Sequence, residues 1–230
     1  MSATDNQSQS RKTPRKTRKR EQEVVDAAAR IFYERGYADA TVQDVADALG
    51  ILKGSLYYYI DVKEDLLFRL VDEVHDEVDD LLNKVLAQKE LPAIELLSRY
   101  IRQQVVYNLR NLVKITVYYH DIDQLSDERR KTIVSRRREH QDLVTGLIRQ
   151  AQADGTADPS ADPRLLANCV FGTIIWTYRW YRPRDEFRID DVAETCVRYA
   201  IGGIRGPLTP NGRPRGTRAA PSARRPAAAS

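Results

Sequence analysis

TVQDVADALGILKGSLYYYIDVKEDLL, Thr41 to Leu67, decides how this 230-residue chain folds. Thr41 and Asp44 make a Thr-x-x-Asp start signal, the hydroxyl accepting an orphan backbone N–H and the carboxylate sitting at the positive helix end. Val42, Val45, Ala46 and Leu49 follow at three- and four-residue spacing, and Gly50 supplies the left-handed turn that ends a helix cheaply. A second, short helix must start almost at once. Its phase predicts Leu52, Leu56 and Ile60 in a core, with Gly54 and Tyr58 opposite and Ser55 and Tyr57 flanking them. A glycine inside a helix costs roughly 1 kcal/mol, so Gly54 needs a reason, and close approach to a phosphodiester groove supplies one. Serine and tyrosine hydroxyls suit phosphate oxygens and base edges.

Two helices joined by a glycine turn, the second with one oily and one hydroxylated face, form a helix-turn-helix reader of DNA. Phe32, Gly36, Thr41, Val42, Val45, Ala46, Gly50, Gly54, Leu56, Tyr57, Lys63 and Leu66 resemble, in order and spacing, the N-terminal domain of the TetR family of transcriptional regulators over residues 20–70. The resemblance implies phosphate contacts from Thr41, Tyr58, Tyr59 and Lys63, and major-groove contacts from Lys53, Ser55 and Tyr57; Gly54 joins this DNA-binding set through the close approach argued above. It also implies a C-terminal helical domain that dimerises and binds a small molecule. Three positions depart from the family pattern: Leu52 and Val62 stand where serines usually cap, and Ile60 replaces a phenylalanine. Asp61 with Glu64 restores a capping pattern before the fourth helix.

The fold class is all-α: an N-terminal three-helix helix-turn-helix domain and a C-terminal helical ligand-binding and dimerisation domain. Glycine and proline are sparse between residues 20 and 205, apolar residues recur at helical spacing, and no useful strand alternation occurs. The expected division is a disordered basic arm over 1–17, the DNA-binding domain over 18–65, the ligand-binding domain over 66–205, and a disordered Pro/Arg/Ala tail over 206–230. Helices are expected at Val62–Leu86, Leu91–Arg110, Asn111–Asp121, Ser126–Ala153, Pro163–Tyr181 and Asp191–Gly202. Asp162-Pro163 starts one of them, Asp191 with Glu194 caps another, and Gly202-Gly203 ends it.

The net charge of +4 is distributed unevenly. Residues 1–20 carry seven Lys or Arg against one acid and residues 206–230 carry five against none, which leaves the body with 25 basic and 32 acidic residues. An acidic body binds DNA through a local site, helped by an arm in which Arg15, Lys16, Arg18, Lys19 and Arg20 are available to phosphate. The rival reading is a non-specific architectural DNA-binding protein that works through its tails alone.

Nothing in the sequence forms a catalytic or metal constellation. His75, His120 and His140 match no metal-binding spacing, and Cys169 and Cys196 lie in apolar helical patterns, where buried, reduced thiols are expected. The chain is read as a non-enzyme that needs no cofactor. No apolar stretch reaches bilayer length and the amino terminus lacks a signal-type apolar core, so a cytoplasmic, nucleoid-associated location is expected.

The effector half carries LLANCVFGTIIWTYRWY, Leu165–Tyr181, apolar almost all round and therefore buried on more than one side. Val170, Ile174, Thr177 and Tyr181 are expected to face a second subunit of a homodimer, with Trp176, Arg179 and Trp180 looking elsewhere. Aromatics with polar tips suit a pocket for an amphiphile. Tyr107, Tyr118, Phe171, Trp176, Arg179 and Trp180 are the ligand-binding candidates. GILKGSLYYY and WTYRWYRP resemble family members that sense acyl-coenzyme A thioesters, for whose phosphates Arg102, Arg110, Lys114, Arg136, Arg137 and Arg179 are available. The expected partners are a palindromic double-stranded operator and a small hydrophobic or amphipathic effector, with no membrane.

Overall fold

The computed structural model describes residues 15–184 and 186–206, and among these it contains helices and no strand. The helices are α1 Arg15–Arg35, α2 Val42–Ala48, α3 Lys53–Leu56, α4 Lys63–Leu86, α5 Ala93–Arg110, α6 Leu112–Asp121, α7 Asp127–Ala153, α8 Pro163–Ile175, α9 Thr177–Trp180 and α10 Ile189–Arg205, with a 3₁₀ turn at Ile122–Gln124. α1 begins at Arg15, so Arg15–Thr17, the end of the arm expected to be disordered, are helical. Residues 1–14 and the tail beyond Gly206 lie outside the described residues.

The chain divides into two compact units, and neither is a continuous segment. Among the described residues, one comprises those up to Glu77 together with Asn111–Arg136, and the other comprises Val78–Arg110 and those from Arg137 onward. The first unit runs past the expected boundary at residue 65 as far as Glu77 and takes in Asn111–Arg136 as well. α4 and α7 each contribute to both units.

In the first unit α1 packs on α2 and α6. Its core holds Val24, Ala28, Phe32, Val45, Leu56, Ile60 and Leu67. Lys114 of α6 ties this unit together, its ammonium 2.8 Å from Asp26 of α1 and 2.6 Å from Glu73 of α4. Arg136 spans Asp72 and Asp76 of α4 at 2.6 and 2.7 Å. Tyr118 is buried, its hydroxyl 2.8 Å from Nε2 of buried His75.

In the second unit α5 packs on α8, α9 and most extensively on α10. The expected start of α8 is present: Asp162 Oδ1 accepts from the N–H groups of Arg164 and Leu165 at 2.8 and 3.1 Å, with Pro163 in the first turn. The aromatic helix does not run on to Tyr181 but breaks at Trp176. Two buried donors meet the Ile174 carbonyl at that break, Thr177 Oγ1 at 2.7 Å and Asn108 Nδ2 at 3.5 Å. α10 starts earlier than expected, at Ile189, which places Asp191 inside its first turn and not at its cap, and the N-cap Arg188 makes no side-chain capping bond. It runs through Gly202-Gly203 to Arg205, where Gly206 at φ 74° ends it.

The facing of α8 is the reverse of the expectation. Val170, Ile174, Thr177 and Tyr181 are buried within the chain's own second unit and cannot meet another subunit. The outward stripe is Leu165, Cys169, Gly172 and Trp176, with Leu165 65% and Trp176 62% exposed. Cys169 is therefore exposed, contrary to expectation, while Cys196 is buried. Because α8 is apolar on every side, periodicity alone could not say which face meets the core.

Candidate nucleic-acid interface

The reading head is built on two well-closed helix ends. At the start of α2 the Asp44 N–H donates to Thr41 Oγ1 at 3.1 Å, and Asp44 Oδ2 accepts from the Thr41 N–H and hydroxyl at 2.8 and 2.7 Å. Those Thr41 hydrogen bonds, with Arg35 2.6 Å away, hold the Asp44 carboxyl below its ordinary value. The hydroxyl's one proton is engaged by Asp44, so Thr41 shapes the helix rather than offering a donor outward. α2 ends in a Schellman motif: the Ile51 N–H reaches the Ala46 carbonyl and the Gly50 N–H the Asp47 carbonyl, both at 3.0 Å, with Gly50 at φ 63°.

α3 is a single α-turn. It continues as 3₁₀-type bonds, Tyr58 N–H to the Ser55 carbonyl at 3.3 Å and Tyr59 N–H to the Leu56 carbonyl at 2.9 Å. Leu56 and Ile60 are buried, as their spacing predicts. Lys53, Gly54, Ser55, Tyr57 and Tyr58 all point outward, Tyr58 with 82% exposure, and Tyr59 is half-buried with its ring edge-on to Tyr58. A Cβ built on Gly54 meets nothing within 4 Å, so no close contact inside the chain requires a glycine there. Leu52 departs from expectation: it is 80% exposed instead of core. As the N-cap it has extended backbone, φ −68° and ψ 143°, so the helical phase that fits Leu56 and Ile60 does not extend to it.

Lys63 also has a different task from the one its position implied. Its ammonium donates to the carbonyls of Tyr37 and Ala40 at 2.8 and 2.9 Å and to that of Ala38 at 3.3 Å, and lies 4.3 Å from the Tyr37 ring centre. It fastens the α1–α2 loop to the start of α4. The α4 cap comes from Asp65, not from Asp61 with Glu64: Asp65 Oδ2 accepts from the Asp61 and Val62 N–H groups at 2.8 and 2.9 Å. Burial pushes the Asp65 carboxyl up, but the Val62 N–H and Arg129 outweigh it and hold the group below its ordinary value. Glu64 instead accepts from the Ser126 N–H at 2.8 Å, ahead of α7.

The effector candidates fall in both units. Tyr118 belongs to the first unit, whereas Tyr107, Phe171, Trp176, Arg179 and Trp180 belong to the second. Trp176, Arg179 and Trp180 are exposed, which removes them from the interior of this chain; Tyr107 and Phe171 are half-buried. Of the cations considered for coenzyme phosphates, Lys114 and Arg136 are held by the carboxylates described above and Arg102 by Asp190 and Glu194 at 3.0 and 3.1 Å. Sequence reasoning missed the buried polar groups of the second unit. His140 Nε2 lies 2.8 Å from the Tyr100 hydroxyl and its Nδ1 3.1 Å from Asp79, and burial holds the imidazole below its ordinary value against the pull of that carboxylate. Gln104 Nε2 donates to Asn108 Oδ1 at 2.9 Å while its own buried Oε1 has no partner.

Sequence comparison matches this architecture in both halves. Residues 24–70 match the sequence pattern of bacterial regulatory proteins of the tetR family, and residues 90–204 match the tetracyclin repressor-like C-terminal domain. The chain belongs to the TetR family of transcriptional regulators. It is accordingly a DNA-binding regulator and not an enzyme. This TetR-family chain is 31% identical over 195 residues to the HTH-type transcriptional repressor KstR2 of Rhodococcus jostii strain RHA1, covering 82% of the chain and 92% of the relative. It is similar to the solved ketosteroid transcriptional regulator KstR2 of Mycobacterium tuberculosis, with TM-score 0.76, 25% identity, and 82% and 96% of the two chains covered. It is also similar to AibR solved with isovaleryl coenzyme A and operator DNA, with TM-score 0.72, 26% identity, and 78% and 97% covered. No described helix is long and apolar enough to cross a membrane.

Proposed function

We propose that this regulator is a homodimeric repressor of a palindromic operator, released by a small amphipathic effector whose class is the acyl-coenzyme A thioesters. The observation that carries the DNA half is the short α3, anchored by Leu56 and Ile60 and leaving Ser55, Tyr57 and Tyr58 exposed. A symmetric dimer would set two such heads into successive major grooves about 34–36 Å apart. The dimer is supported by the outward stripe of α8 together with Tyr199 of α10, which is 75% exposed; in a lone chain these apolar groups stay wet.

Two observations support the effector. AibR was solved with an acyl-coenzyme A thioester and operator DNA. Within the second unit, the orphaned acceptor of Gln104 is a buried polar atom of the kind that a ligand donor satisfies. A thermal-shift screen of fatty, steroid and aromatic acyl-coenzyme A thioesters, each beside its free acid and beside coenzyme A alone, tests the class. Saturation at a hundred times Kd stabilises by about 2.7 kcal/mol. The expected result is a shift with a thioester that also releases operator DNA; shifts produced only by free acids would replace the proposed class.

A further inference from the structure

We infer that Leu52 is a base reader: its side chain packs on the C5-methyl of one thymine in each half-site, so the operator favours an A·T pair there. The inference rests on operator reading by α3. Among the large apolar side chains described, only Tyr58 is more exposed than Leu52, which therefore contributes nothing to the core. It contributes nothing to helix capping either. Leu52 is the N-cap of α3, and its side chain makes no capping bond, where a serine, threonine or aspartate would satisfy an orphan N–H. Within the chain this leucine neither packs nor caps, which leaves its whole side chain available to an outside partner.

Its position supplies one outside. The N-terminal residues of a recognition helix are those that reach base edges in the major groove. Leu52 is the N-terminal flank of α3 and continues the outward surface of Lys53, Gly54 and Ser55. A branched alkyl group can make no hydrogen bond to a base edge, and the apolar feature that B-DNA displays in the major groove is the thymine methyl. Lys53 and Ser55 supply the polar contacts beside it, so the leucine adds a preference that polar side chains cannot.

The test removes that methyl and nothing else. An operator is first selected from a random duplex pool with the full-length protein, and each thymine in it is then replaced singly by deoxyuridine. One position per half-site is expected to lose about fourfold in affinity, the equivalent of one methyl-sized group withdrawn from apolar contact, and about sixteenfold when both half-sites are changed. Leu52→Ala, checked for an unchanged melting temperature, is expected to bind the thymine and uracil operators equally. An operator indifferent to uracil at every position, or a uracil penalty that survives in Leu52→Ala, overturns the assignment. A pool that converges on no sequence overturns operator recognition itself, and Leu52's role with it.

Discussion

Lys63 and Gly54 illustrate how far a single side chain's role depends on what it touches. Lys63 donates to three loop carbonyls, and hydrogen bonds to a charged group contribute about 1.5–3 kcal/mol each when well shielded. Half-burial lowers that, so Lys63→Met is expected to cost about 1–3 kcal/mol of folding free energy, measured by urea unfolding. An unchanged midpoint would show that the ammonium is free for other work. Gly54 carries the opposite expectation. With open space around its missing Cβ and no positive φ, Gly54→Ala is expected to stabilise the protein by about 0.5–1 kcal/mol. The same change is expected to weaken operator binding in a gel-shift titration, because the added methyl stands between backbone and groove. A variant both more stable and equally tight would remove close approach as the reason for this glycine.

At the scale of elements, α2 and α3 were legible because each residue's direction follows from local geometry. The Thr41–Asp44 cap, the Gly50 turn, the buried Leu56 and Ile60 and the outward Ser55, Tyr57 and Tyr58 all follow from helical period and capping chemistry. Leu52 escaped because it precedes the helix, where 100° per residue does not apply. Lys63 escaped because a four-carbon stem can reach in several directions, and its acceptors lie 23 to 26 positions earlier. The break at Trp176 and the polar pair Gln104–Asn108 escaped for a similar reason: contacts between α5 and the α8–α9 break leave no periodic trace. Thr41→Ala is expected to cost about 0.5–2 kcal/mol through the lost cap, and to weaken operator and random DNA together. Thermal melts beside titrations on both DNAs check this; a selective loss on operator would give Thr41 a direct part in recognition.

For the whole molecule, buried His140 couples folding to pH. Its imidazole sits below its ordinary value near 6.5, so the unfolded chain takes up a proton before the folded one does. The stability it contributes is complete above about pH 6.5 and is lost as pH falls from there through the folded value. Denaturant midpoints between pH 7.5 and 5 are expected to fall, and to fall less steeply in His140→Gln; parallel slopes for the two proteins would exclude this histidine as the cause. Dimerisation is checked at the same scale by sedimentation equilibrium. Trp176→Glu on the outward face of α8 is expected to shift the protein toward monomer, and Leu165→Glu to do the same. Dimers that persist in both variants would move the interface elsewhere.

The interleaving of the two units has a practical corollary for anyone hoping to transplant the DNA-binding part. A piece ending at Glu77 would leave behind Asn111–Arg136, and with it the α6 surface that covers α1, the Lys114 link to Asp26 and Glu73, and the Ser126 N–H that meets Glu64. Such a truncation should expose the greasy side of α1 and aggregate. A chimaera that keeps its specificity will need two splice segments, not one.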